Sequence, residues 1–139
     1  MTASGPDMDS IDRLRGERNI WLATTRPDGR PHLTPVWFVH LRDRFWIGTG
    51  RDSVKTRNVA GNPTVSLALE DGDAPVVAEG TVTVHDTARP DDVVAAFLAK
   101  YDWDLTISED PDVGTVVLWE VTVATWLFGA PEAGPSADR

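Results

Sequence analysis

The sequence predicts a mainly β domain: a six-stranded β-barrel, closed or split, with short helices inserted between some strands. Two observations carry that prediction. Runs of β-prone residues recur along the chain, each bounded by Gly, Pro, Asp or Asn. Helical spacing interrupts these strands at only two points, too few for strand–helix–strand units. The expected order is α-β-β-β-α-β-β-α-β.

The elements follow in order. Asp9 or Ser10 is placed to cap a first helix that carries Ile11 and Leu14 on one face and ends near Arg18. Asn19 to Thr25 (NIWLATT) reads as the first strand. Arg26-Pro27-Asp28-Gly29 reads as a turn, with Gly29 free to take a positive φ. His32 to Leu41 (HLTPVWFVHL) reads as a second strand, in which Pro35 has no N–H for a ladder and so marks an edge, a bulge or a functional opening. Arg42-Asp43 makes a tight hairpin into Arg44 to Thr49, where Phe45 and Ile47 alternate against Trp46. Ser53 to Ala60 is expected to be helical, with Asp52 or Ser53 at the N-cap and Gly61 as the stop. Thr64 to Leu69 and Val76 to His85 are strands on either side of the Asp71-Gly72-Asp73 turn. Pro90 opens a helix through Tyr101, with Val93, Val94, Phe97 and Leu98 in one stripe. Val113 to Leu127 closes the domain as a long apolar strand. Residues 1–8 and 129–139 read as flexible tails, which leaves one domain over 9–128.

Bulk properties narrow the function. A chain of 139 residues with 41% hydrophobic content is long enough for one real core. The absence of cysteine removes disulfides, thiolate metal sites and cysteine nucleophiles together. No apolar run is long enough to span a membrane, and Met1 to Ser10 lacks the charge and apolar stretch of a signal peptide, so a cytoplasmic location is expected. The net charge of −9 argues against nucleic-acid partners, which require broad positive surfaces. Against that background Arg51, Lys55 and Arg57 form a local basic cluster, either a site or simply a solvated helix face.

The most informative segment is Gly48 to Asn58, GTGRDSVKTRN. A strand ends in two glycines flanking Thr49 and leads at once into a capped helix. Helix N-termini attract anions, glycines permit close backbone approach, and Thr49, Ser53 and Lys55 add hydroxyls and a cation. Such a turn can cradle a phosphate. It is neither a P-loop nor a dinucleotide fingerprint, and the bland alternative is a strand-to-helix turn with a basic surface.

Three blocks carry a wider resemblance: LATTRPDGRPHLTPVWFV (Leu22 to Val39), FWIGTGRDSVKTRNVAGNPTVSLALED (Phe45 to Asp71) and VVAEGTVTV (Val76 to Val84). In order and spacing they resemble the pyridoxamine-phosphate-oxidase-like superfamily of FMN-binding split barrels, in particular the group that uses the deazaflavin coenzyme F-420. The resemblance implies a six-stranded split barrel and a redox cofactor, coenzyme F-420 or FMN. It implies that Lys55, in S-x-K-x-R-N, contacts the cofactor phosphate, with Ser53, Thr49, Gly50 and Arg57 completing the pocket. Relatives often carry a second basic residue where Ser53 stands; Arg51 is the nearby substitute. Thr34, Pro35, Val36, Trp37 and Phe38 would lie along the ring system, and Ala78 and Glu79 on a neighbouring strand. The resemblance further implies a homodimer with the cofactor at its interface and Trp103 reaching over the ring or a small-molecule substrate from the partner. No catalytic acid or base is assigned, because the cofactor itself carries the hydride. The Arg- and Trp-bearing C-terminal block expected of a true pyridoxamine-phosphate oxidase is not found in ATWLFGAPEAGPSADR, so that particular activity is not expected.

Other chemistries fit less well. His32 and His40 would share a strand face but lie about 26 Å apart, too far to hold one metal, and His85 is solitary. No metal site is expected. The six tryptophans read first as barrel core or dimer interface, with Trp37 and Trp103 the best placed to stack on a ring. The loop carboxylates from Asp71 to Asp112 read as solvated, and no GxSxG nucleophile setting is present. Two non-enzymatic readings stay open: a carrier of flavin, haem or bilin, and a structural dimer with an empty pocket.

Overall fold

The computed structural model describes residues 8–107 and 109–131; of the expected tails, 1–7 and 132–139 lie outside that description. The elements are α1 (Met8–Gly16), β1 (Ile20–Thr25), β2 (Pro31–Val36), β3 (Val39–Leu41), β4 (Arg44–Gly50), α2 (Val54–Gly61), β5 (Thr64–Ala68), β6 (Val77–His85), α3 (Asp91–Tyr101), β7 (Glu109–Asp110) and β8 (Gly114–Phe128). A single curled antiparallel sheet has the order β2-β1-β5-β6-β8-β4-β3, with β7 paired to β8 off that path. Its two edge strands, β2 and β3, are neighbours in the chain, joined by Trp37 and Phe38 alone. The sheet therefore comes back on itself without closing. This is a split barrel.

Eight strands replace the six expected, for two reasons. The first is the short β7. The second is that the strand expected from His32 to Leu41 breaks at Trp37-Phe38. The Phe38 backbone leaves the ladder for the side chain of Tyr101, whose hydroxyl accepts from Phe38 N at 3.0 Å. The hydroxyl proton is shared between the carbonyls of Arg18 (2.8 Å) and Phe38 (3.0 Å). Lys100 Nζ adds bonds to Phe38 O at 3.1 Å and Leu14 O at 3.3 Å.

Smaller departures concern helix ends. α1 is already helical at Met8, so Asp9 lies within its first turn and is not its cap. α2 includes Gly61 and stops at Asn62, which is extended at φ −144° before Pro63, so no left-handed glycine ends it. Arg42-Asp43 forms the tight hairpin expected, and both residues take a positive φ, +57° and +59°, as the twist of a two-residue hairpin requires.

Two cores explain the alternation. Phe45, Ile47, Val117, Trp119 and Val121 face the barrel interior with Leu22, Val65 and Leu67. Trp46, Val116 and Leu118 face outward, where Val93, Phe97, Tyr101 and Leu105 of α3 and its following loop cover them. Burial on both faces is why β8 is so apolar along its first half.

Tyr101→Phe deletes the hydroxyl and leaves the buried Phe38 N–H without a partner. It is expected to cost about 1–3 kcal/mol, read as a lower denaturant midpoint with an unchanged slope. An unaltered midpoint would show that the clasp is dispensable.

Candidate functional site

The GTGRDS turn is built by the fold's own needs. A Cβ on Gly48 would lie 2.8 Å from the Trp103 ring, and one on Gly50 would lie 2.2 Å from Val113 Cγ2. Both bare faces are thus filled from within the chain. The N–H groups of Arg51, Asp52 and Ser53 are taken by the carbonyls of Thr115, Val113 and Gly50 at 2.9, 2.7 and 3.2 Å. Ser53 Oγ caps α2 by accepting from Thr56 N at 3.3 Å, and it donates to Thr56 Oγ1 at 3.0 Å, which in turn donates to Gly50 O at 2.8 Å. Gly50 and Ser53 thus have structural roles of their own, a close strand crossing and a helix cap. Thr49, by alternation, points to the same side as Phe45 and Ile47.

The cations of the segment separate. Arg51 turns to Asp86 at 3.3 Å, with both side chains exposed. Arg57 is exposed and donates to Asp52 O at 3.2 Å. Lys55 alone is partly buried and has no hydrogen bond or ion pair among the described residues. Burial holds its ammonium below the usual lysine range.

What faces Lys55 follows from register. Asn58 Nδ2 donates to Thr24 Oγ1 at 3.0 Å, which pins α2 to β1 through two buried groups. Lys55 is three residues before Asn58 and so shares its helix face. Thr24 pairs with His32 across the β1–β2 ladder, and Leu22 pairs with Thr34. His32, Thr34 and Val36 alternate onto one face of β2, the barrel's inner face. Here, at the seam between the sheet's two edges, Lys55 and Arg26 are both close enough for their charges to act on His32, and Thr34 follows two residues along the same inner face. His32 Nδ1 and Thr34 Oγ1 are both shielded from solvent and make no hydrogen bond. Among the described residues Lys55 is thus a partly buried cation without an anion, within electrostatic reach of a histidine whose Nδ1 has no partner, an arrangement that can receive an anionic, hydrogen-bonding group. His32 entered the sequence reading only as a metal candidate; its spacing of two from Thr34 was the available signal.

At the other end of β2, Trp37 is stacked on Tyr101 with ring centres 4.4 Å apart, and Trp103 meets Trp37 edge-on at 5.9 Å. The Arg18 guanidinium lies 5.4 and 5.0 Å from the Trp37 and Tyr101 ring centres. Trp103 therefore packs against Trp37 of its own chain. Pro35 is exposed and Val36 is buried. From His32 to Trp37 is about 16 Å of strand. Ala78 does not join this array: its side chain is 1% exposed in the core, on β6, with β5 and β1 between it and β2. Glu79 is exposed on the outer face. Among the described residues no cluster of three metal ligands forms. His85 Nε2 lies 2.9 Å from Glu120 Oε1. No helix among them is long and apolar enough to cross a membrane.

A split barrel with an anion-seeking seam defines a class, that of the FMN-binding split barrels. The chain belongs to the family described as pyridoxamine 5'-phosphate oxidase, whose model matches residues 11–129. Among solved structures it is similar to a conserved hypothetical protein of Mycobacterium tuberculosis (24% identity, 99% of each chain covered, TM-score 0.69). It is also similar to an F-420 reductase (23% identity, covering 90% of this chain and 98% of that one, TM-score 0.64). A third is the heme storage protein HutZ of Vibrio cholerae (19% identity, 90% and 98% covered, TM-score 0.68). At these identities the likeness establishes the fold. No curated protein matches the sequence.

Lys55 without a counter-ion destabilises the ligand-free fold. That penalty is fully present while the side chain is protonated in both states, and it fades as pH rises through the folded value, which lies below 10.5. Lys55→Met is expected to be more stable than the parent at neutral pH by about 0.5–1 kcal/mol, with the gap narrowing at alkaline pH. Equal or lower stability would place an unseen partner on the ammonium.

Proposed function

We propose that the protein is an oxidoreductase that binds coenzyme F-420 in the barrel seam and passes hydride to a small planar or unsaturated substrate, acting as a homodimer. The observation that carries the reading is Lys55, held partly buried beside β2 with no anion of its own. A phosphate there would offset its charge and accept from Thr34 Oγ1. The reduced cofactor, when bound, supplies the hydride. The chain's part is to hold the tail at Lys55 and lay the ring along Thr34 to Trp37. Its aromatic array of Trp37, Tyr101 and Trp103 would exclude water at the reacting end. The distance from His32 to Trp37 suits a tricyclic ring carrying a phosphorylated polyol tail. No side chain is assigned a proton-transfer role.

Dimerisation is supported by the sheet's outer face. Pro35, Trp21, Ala68, Val77 and Phe128 lie in one cross-strand row. Trp21 is 37% exposed, Phe128 51%, and Leu33 on the adjacent row 61%. A second copy would cover that apolar surface, and Pro35 brings it to the edge of the seam.

The test is titration of the purified protein with F-420 and, separately, FMN, followed by tryptophan quenching. Tight F-420 binding that weakens at least about tenfold in Lys55→Ala is expected, since a charge-assisted bond to phosphate is worth about 1.5–3 kcal/mol. Tighter FMN binding would make it a flavin enzyme. Binding without turnover of any acceptor would make it a carrier, as the heme storage neighbour is by its name. No binding of either cofactor would overturn the reading.

A further inference from the structure

We propose that His32 is a second ligand of the anion held by Lys55, and that binding a phosphate group there, ester or free anion, draws one proton from solvent onto the imidazole. This rests on the seam being the phosphate end of the cofactor site, as argued above. Ser53 is occupied as the cap of α2, and Arg51 is turned away to Asp86, so neither adds a second cation beside Lys55. The structure offers His32 in its place. It stands across the ladder from Thr24, against which α2 is pinned, and it shares an inner strand face with Thr34. Its Nδ1 is shielded and unpartnered although the ring as a whole stays partly open.

The groups that face His32 are Arg26 from the β1–β2 turn, Lys55 from α2 and the neutral Thr24 from β1. Among the described residues no carboxylate acts on it. Desolvation, then Arg26, then Lys55 hold its imidazole below the ordinary histidine value of 6.5, so without a ligand it is neutral at pH 7. An anion placed between Lys55 and His32 reverses the sign of the local field. The imidazole then gains from protonation, because the cation donates to the anion and cancels charge. One proton leaves solvent and ends on His32, and no other bond is made or broken. The share of the affinity that His32 contributes should therefore rise as pH falls through the window between its free and bound values.

The experiment follows the histidine ring resonances of the full chain by NMR during titration with inorganic phosphate and with FMN. Calorimetry of FMN binding at pH 7, in two phosphate-free buffers of different ionisation enthalpy, counts protons. His32→Gln identifies the resonance and leaves the phosphate's own titration in place, so the difference isolates the imidazole. His32→Lys keeps a cation but cannot take up a proton near neutrality. Expected are a His32 resonance that titrates at higher pH when phosphate or FMN is present, net proton uptake in the parent, and none attributable to the site in either variant. At pH 6, FMN affinity should fall about tenfold in His32→Gln and recover in His32→Lys. FMN binding that needs Lys55 but leaves His32 unmoved would overturn this inference and spare the cofactor reading. Phosphate moving His32 while neither FMN nor F-420 binds would sustain the anion site and overturn the cofactor reading. A His32 resonance indifferent to both phosphate and FMN would end the inference outright.

Discussion

The bonds that Tyr101 and Lys100 make to the Phe38 backbone determine where this barrel stops being a closed cylinder. Had Phe38 stayed in a ladder, β2 and β3 would be one continuous strand. Its N–H and C=O are instead held from α3, and the chain turns there from one sheet edge to the other. Hydrogen bonds to a charged donor are worth about 1.5–3 kcal/mol each, so the ammonium is the stronger half of this clasp. It comes at a cost. Burial, aided by the Arg18 charge, presses Lys100 down to about 8. The cost of holding that ammonium is fully present below about pH 8 and is relieved as pH rises from there towards the ordinary lysine value of 10.5, so the clasp loses its charged donor without a net loss of stability from this group.

The same clasp orders the aromatic end of the seam. Tyr101 offers its ring to Trp37 while its hydroxyl is tied to the backbone, so the stacking partner of Trp37 is fixed in place. Trp103 follows only because Gly48 leaves room for its ring. A glycine in the middle of β4 is a weakness in a strand, and here it is offset by an indole seated on the bare backbone. One residue type thus serves packing in the position where sequence logic assigned it to ligand approach.

That substitution of roles shows what could be read in advance. Periodicity and turn residues were enough for β1, β4, β5, β6 and β8, because each is a run of alternating or doubly buried residues between breakers. The broken strand at Trp37-Phe38 was not legible, since its cause is a tyrosine more than sixty residues away. Gly50 and Ser53 looked like a phosphate cradle because glycine and serine are also what a tight strand crossing and a helix cap require. Lys55 stands out in the sequence through its motif, while its partial burial without an ion pair among the described residues is visible only in the fold. The position of His32 across the ladder from Thr24 could not be read in advance, because cross-strand register is a tertiary fact.

The balance of charge then narrows what the seam can accept. With a net charge of −9, the protein as a whole repels anions. Beyond a Debye length, about 8 Å at physiological ionic strength, that repulsion is largely screened, and inside the mouth Lys55, Arg26 and a protonatable His32 dominate. A ligand with its negative charge at one end and a flat, weakly charged ring system at the other meets cations where it is anionic and aromatic faces where it is not. On the proposed reading that distribution runs along about 16 Å of backbone from His32 to Trp37, with the cations supplied by α2 and the β1–β2 turn and the aromatic faces by Trp37 and by α3 with the loop after it.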